Sequence, residues 1–144
     1  MRALGVDLGT VRIGLALTDP SKLIASPHDT LPAGDASADD WTHTIATELA
    51  RVAADVGADT VVIGLPRALS GNETTGATSA RRVAAALRIA GDVDVQLWDE
   101  RLTSVEAERM LIAAGERRAQ RKGSRDRVAA AIILQSWLQA NVSR

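Results

Sequence analysis

Hydrophobic and polar positions change period several times along the chain. Ala3–Leu8 is a short apolar run ended by Gly9-Thr10, and Ile13–Thr18 follows almost at once, so the two read as strands of a hairpin. A weaker strand is expected across Leu23–Leu31, kept at a sheet edge or bent by Pro27 and Pro32. Pro32–Asp40 is rich in Ala, Asp, Ser and Gly and reads as a loop, in which Ser37 and Asp40 have the spacing of a capping box.

From Trp41 the period becomes helical: Trp41, Ile45, Leu49, Val52 and Val56 share one face, and Gly57 supplies the stop. Thr60–Leu65 is a continuous, largely β-branched run suited to a strand covered on both faces. After a polar loop over Pro66–Gly76, the residues Ala80, Val83, Ala84 and Leu87 mark a second helix that Gly91 ends. Val93–Trp98 is another strand, and Thr103-Ser104-Val105-Glu106 caps a helix running to about Ala114. Gly115–Gly123 reads as a basic linker, and Ser124 or Arg125 begins a last, apolar helix to about Asn141. The order β-β-β-α-β-α-β-α-α predicts an α/β layer fold with a mixed sheet, an antiparallel hairpin first and parallel strands after it, flanked by helices.

The chain has 144 residues, 46% hydrophobic and 24% charged, within the span of one ordinary domain covering residues 1–144. Its longest apolar run, Val128–Leu134, is far short of the ~20 residues a bilayer demands, so no membrane partner is expected. Absence of cysteine excludes disulfide frameworks and thiolate metal sites and accords with a cytoplasmic protein. Charge is unevenly placed. Residues 1–64 carry nine acids against four bases, residues 65–144 thirteen bases against nine acids, and six bases fall within residues 117–127. Arg117, Arg118, Arg121, Lys122 and Arg125 form the electrostatic footprint of a phosphate-bearing partner, or else simply a solvated face.

In sheets of this kind ligands collect at the carboxyl ends of strands. Asp7 interrupts an apolar strand there, where a carboxylate costs several kcal/mol unless paired or bound to a metal. The plain alternative is an aspartate hydrogen-bonded into the turn that follows. Glu100 lies just after another strand and emerges at the same end if the two strands are neighbours; otherwise it begins a solvated loop, paired to Arg101. Asp126 is the one acid among the basic residues, turned to the sheet by Ala129, Ala130 and Ile133, or simply favourable at a helix N-terminus. Three carboxylates without histidine or cysteine make an oxygen-only site suited to Mg2+ or Mn2+. Two such ions can serve phosphodiester hydrolysis.

Four segments in order carry a family resemblance: Asp7-Leu8-Gly9-Thr10-Val11-Arg12-Ile13-Gly14, Val62-Ile63-Gly64-Leu65-Pro66, Asp99-Glu100-Arg101-Leu102-Thr103 and Asp126–Gln135. Together they resemble the YqgF (RuvX) family, ribonuclease H-like proteins described as pre-16S rRNA nucleases and as Holliday junction resolvases. The resemblance implies a ribonuclease H-like fold, with Asp7, Glu100 and Asp126 as catalytic carboxylates holding two Mg2+ or Mn2+ ions. It also implies that Arg12 and Arg101 contact phosphate or the carboxylates. Two departures stand out: Leu69-Ser70-Gly71 replaces the usual Met-Asp-Gly, and Arg125 replaces a small aliphatic residue before the last aspartate.

The resulting expectation is a metal-dependent endonuclease in ribosome biogenesis that processes the 5′ end of pre-16S rRNA. The alternatives are a Holliday junction resolvase acting on branched DNA in recombination and repair, and a non-catalytic nucleic-acid-binding module. Structured RNA is favoured because trimming a precursor needs one active site, and no dimer surface is legible, which suggests a monomer or a weak homodimer. Asp-Leu-Gly-Thr before a hairpin also resembles the phosphate loop of actin-like sugar kinases, but those close two lobes over a nucleotide.

Overall fold

A computed structural model of the chain describes residues 1–66, 75–103 and 124–142. The helix expected from Thr103 to Ala114 and the basic linker over Gly115–Gly123 fall largely outside these residues. Five strands, β1 (Arg2–Leu8), β2 (Arg12–Thr18), β3 (Ala25–Pro32), β4 (Ala58–Leu65) and β5 (Asp94–Asp99), form one sheet in the order β3-β2-β1-β4-β5. The first three pair antiparallel, whereas β4 runs parallel to both β1 and β5. Helices α1 (Trp41–Val56), α2 (Thr75–Ala90) and α3 (Ser124–Val142) complete the described fold, with a single 3-10 turn at Glu100–Leu102. The mixed α/β sheet is the one the sequence predicts.

Alternation along the strands divides the side chains between two layers. Leu4, Val6, Ile13, Leu15, Val61, Ile63, Leu65 and Val95 join Ile45, Leu49, Val52, Val83 and Leu87 in a core beneath α1 and α2. On the opposite face Ala3, Ala16, Ala25 and Val62 pack against Ala130, Ala131, Ile133, Leu134 and Leu138 of α3. Gly57 closes α1 in the left-handed conformation, φ 71°, which is open to glycine without strain.

Three local expectations are corrected. The third strand begins at Ala25 and not Leu23, because the Asp19 carboxylate accepts hydrogen bonds from Leu23 N (2.8 Å) and Ile24 N (2.9 Å) and holds that stretch in a turn. It does lie at the sheet edge, where proline is tolerated. The capping box of Ser37 and Asp40 is not formed: Asp35, two residues upstream, takes Ser37 N at 2.9 Å and Ser37 Oγ at 2.6 Å. The second helix begins at Thr75, earlier than its apolar stripe, and among the described residues no helix is long and apolar enough to cross a membrane.

Candidate active site

Asp7 is the penultimate residue of β1, opposite Gly14 of β2 and on the face covered by α3. Asp126 stands in the first turn of α3. Glu100 opens the 3-10 turn directly after β5. Because β1, β4 and β5 are parallel, Asp7 and Glu100 emerge at the same end of the sheet although β4 separates their strands. The two strands are not neighbours, and their parallel direction alone brings the two acids to one end.

Close approach of α3 is what brings Asp126 to that end. Beneath it the sheet presents Ala3, Gly5, Gly14, Ala16 and Gly64, where the other face presents leucine, isoleucine and valine. A Cβ on Gly5 would lie 2.8 Å from Leu134 Cβ and 2.9 Å from Ala130 O, and one on Gly14 would overlap the backbone carbonyl of Asp126. Only hydrogen at these positions lets the helix backbone rest on the strands. Two further contacts fix α3 in register: Gln135 Oε1 accepts from Ala25 N at 2.8 Å, and Trp98 Nε1 donates to Ser136 Oγ at 3.1 Å. Ser136 Oγ in turn donates to Leu102 O at 2.8 Å, tying the helix to the turn that carries Glu100.

Asp7 feels the charge of both other acids. The Asp7 carboxyl is pushed up from its ordinary 3.8 to about 6, first by burial and then by the negative charges of Asp126 and Glu100. Among the described residues Asp7 accepts no side-chain or backbone hydrogen bond that would offset this, so it is not the turn-capping aspartate of the plain alternative. Asp126 is answered by Arg12, whose Nε donates to Asp126 Oδ2 at 3.2 Å. Among the described residues, however, no three His, Cys, Asp or Glu side chains are gathered closely enough to hold a metal ion as they stand.

Arg101 faces Asp99 and is not the partner of Glu100 supposed in the solvated-loop alternative. Asp99 Oδ1 accepts from Arg101 N at 2.9 Å and from Nε at 3.2 Å, while Oδ2 accepts from Nη2 at 2.9 Å. These bonds hold the exposed guanidinium's pKa above its ordinary value, through the hydrogen bonds to Asp99 and then its charge. Arg117, Arg118, Arg121 and Lys122 lie outside the described residues, and Arg125 is placed by its backbone alone, in the first turn of α3. The small-residue floor and Ser136 are the positioning elements that sequence reasoning missed. The recurrence of glycine at strand positions 5, 14 and 64 was the available signal for the floor. Nothing in the chain singled out one buried serine.

Comparison with known proteins bears on the fold and the family. The structure superposes on T. thermophilus RuvC in complex with a Holliday junction substrate with a TM-score of 0.64, at 16% identity, covering 99% of this chain and 96% of that one. A ROK hexokinase from Thermus thermophilus shares the fold over 77% of this chain but only 39% of its own, with a TM-score of 0.53 and 19% identity. In sequence the chain is 41% identical over 140 residues to a protein of Geobacillus kaustophilus named "Putative pre-16S rRNA nuclease", covering 97% of this chain and 99% of that protein. The family model described as "RuvX: Holliday junction resolvase" matches residues 1–140, and the chain belongs to that family.

Proposed function

We propose that this chain is a cytoplasmic, metal-dependent endonuclease that hydrolyses phosphodiester bonds in structured RNA, processing the 5′ end of pre-16S rRNA. One observation carries the reading: a half-buried carboxylate, Asp7, that feels the negative charges of two more acids and has no hydrogen bond among the described residues to hold its own. A module that only binds phosphates gains nothing from negative charge gathered at this end of the sheet.

The donor set of Asp7, Glu100 and Asp126 offers hard oxygen ligands alone, which suits Mg2+ or Mn2+. In chemical type these residues fit such ions, two by the expectation above, once Asp126 is released from Arg12 and the three carboxylates draw in. Divalent cations bound there supply Lewis acidity towards a scissile phosphate. The chain's own residues then have distinct tasks. Asp7, on the rigid β1, fixes the depth of the site; Glu100 and Asp126 flank it from the 3-10 turn and from α3. Arg12 stands at the rim where a phosphate flanking the cut would lie. Arg101, held against Asp99, adds positive charge on the Glu100 side. With Tyr and Phe absent from the chain, stacking on bases has little support, so recognition rests on backbone geometry and 2′-hydroxyls.

The second reading is a resolvase acting on branched DNA. It is favoured by the description of the family model and by the fold shared with a protein bound to a Holliday junction. The experiment is direct: purified chain with Mn2+ is offered a pre-16S rRNA precursor and a four-way DNA junction, and its mass in solution is measured. Cleavage of the RNA by a monomer or weak homodimer, lost in Asp7→Asn, is expected. Paired symmetrical nicks in the junction by a stable dimer, with the RNA intact, would overturn the choice of substrate.

A further inference from the structure

Asp126 is joined to a cation of the chain, Arg12. Arg12 opens β2 on the face that carries Gly14 and Ala16, which points its side chain at the first turn of α3. The two side chains are 42% and 32% exposed, and among the described residues neither has another hydrogen-bond or ion-pair partner. The contact uses a single N–H of a group that has five, in a partly wet position where ion pairs exchange easily. A guanidinium serves carboxylate and phosphate with the same planar fork, so such a group can pass from one to the other without new chemistry.

We propose that Arg12 is a transferable counter-ion, holding Asp126 while the site is without a divalent cation and passing to a phosphate of the nucleic acid when a cation takes Asp126. The proposal rests on the nuclease reading above. It accounts together for two observations: the donor set is of the right chemical type, yet its members are not gathered into a ready metal site. Its consequence is linkage. Substrate that draws Arg12 away favours the cation, and by reciprocity the cation favours the substrate. The site then loads fully only when nucleic acid is present.

The test is a titration of the full chain with Mn2+ alone, following the free ion by electron paramagnetic resonance, in wild type, Arg12→Gln, Arg12→Lys, Asp126→Asn and Asp7→Asn. Removing the competing charge should tighten Mn2+ binding about two- to fivefold in Arg12→Gln, while Arg12→Lys stays near wild type. A parallel arm measures how the binding of an RNA hairpin depends on salt. In EDTA, where Arg12 stays on Asp126, Arg12→Gln should match wild type; with Mn2+ its slope should fall by about one phosphate contact. A purely structural role for Arg12 would lower the melting temperature and leave both readouts unmoved, which would overturn the proposal. So would unchanged or weaker Mn2+ binding in Arg12→Gln while Asp126→Asn weakens it. If Asp7→Asn and Asp126→Asn also leave Mn2+ binding as in wild type, the carboxylates are not a cation site and the nuclease reading falls as well.

Discussion

The two faces of the sheet are built on opposite rules. Under α1 and α2 the strands offer Leu4, Val6, Ile13, Leu15, Val61, Ile63 and Leu65, branched side chains that fill the space between layers. Under α3, Val62 apart, they offer Ala3, Gly5, Gly14, Ala16 and Gly64, and at Gly5 and Gly14 the helix backbone itself comes down onto the strands. The first face gathers the larger cluster of buried apolar side chains, and burial of such area is the main favourable term in folding. The second gives up that area so that the first turn of α3, which carries Asp126, can rest against β2 beside Asp7's partner Gly14. Stability and site geometry are thus assigned to different faces of one five-stranded sheet.

Truncation on the large-residue face should show the bigger effect on stability. Ile63 is fully buried, and Ile63→Ala should cost about 2–5 kcal/mol in urea denaturation while cleavage per folded molecule stays as in wild type. An equal loss of specific activity would mean the two faces are not separable. On the other face, Gly14→Ala adds one methyl group against the Asp126 carbonyl and should cost about 1–3 kcal/mol. Its activity should fall at least tenfold even where the variant is fully folded, because the helix start that carries Asp126 must move. Retained activity in folded Gly14→Ala would show that the close approach does not set the site.

The same contrast governs what could be read from sequence. The large-residue face is legible because each strand is a run of β-branched and aliphatic residues: Ala3–Leu8, Ile13–Thr18 and Thr60–Leu65 lie within a residue or two of β1, β2 and β4. Helix α1 was legible from its stripe and from Gly57. Asp7 stood out as a charge in such a run, and Glu100 and Asp126 as acids at element ends. The order of the strands was less accessible, since alternation reports which residues share a face and not which strand lies beside which. Hence β4 between β1 and β5 came only with the structure. Side-chain pairings chosen by a few tenths of an ångström, such as Arg101 with Asp99 and Ser136 with Leu102, leave no periodic trace.

A smaller effect should come from the lace that joins the two ends of the site. Ser136→Ala removes the acceptor of Trp98 Nε1 and the donor to Leu102 O, and should cost about 1 kcal/mol. Cleavage should weaken by more than that stability loss explains, since Glu100 sits in the turn it steadies. Activity equal to wild type would place Ser136 with the packing residues instead.

The most direct test of the central claim, that Asp7 is kept for chemistry at a cost to the fold, is the stability of Asp7→Asn as a function of pH, measured in EDTA beside its cleavage activity in Mn2+. In the folded chain Asp7 has its pKa raised to about 6 from 3.8, so between those values the native state keeps a proton that the unfolded state has lost. Wild-type stability therefore falls as pH rises through that window. The asparagine variant lacks this dependence. It should equal wild type below pH ~4, exceed it by about 3 kcal/mol at pH 7, and cleave no substrate. A variant that is less stable than wild type at pH 7, or that still cleaves, would contradict the account.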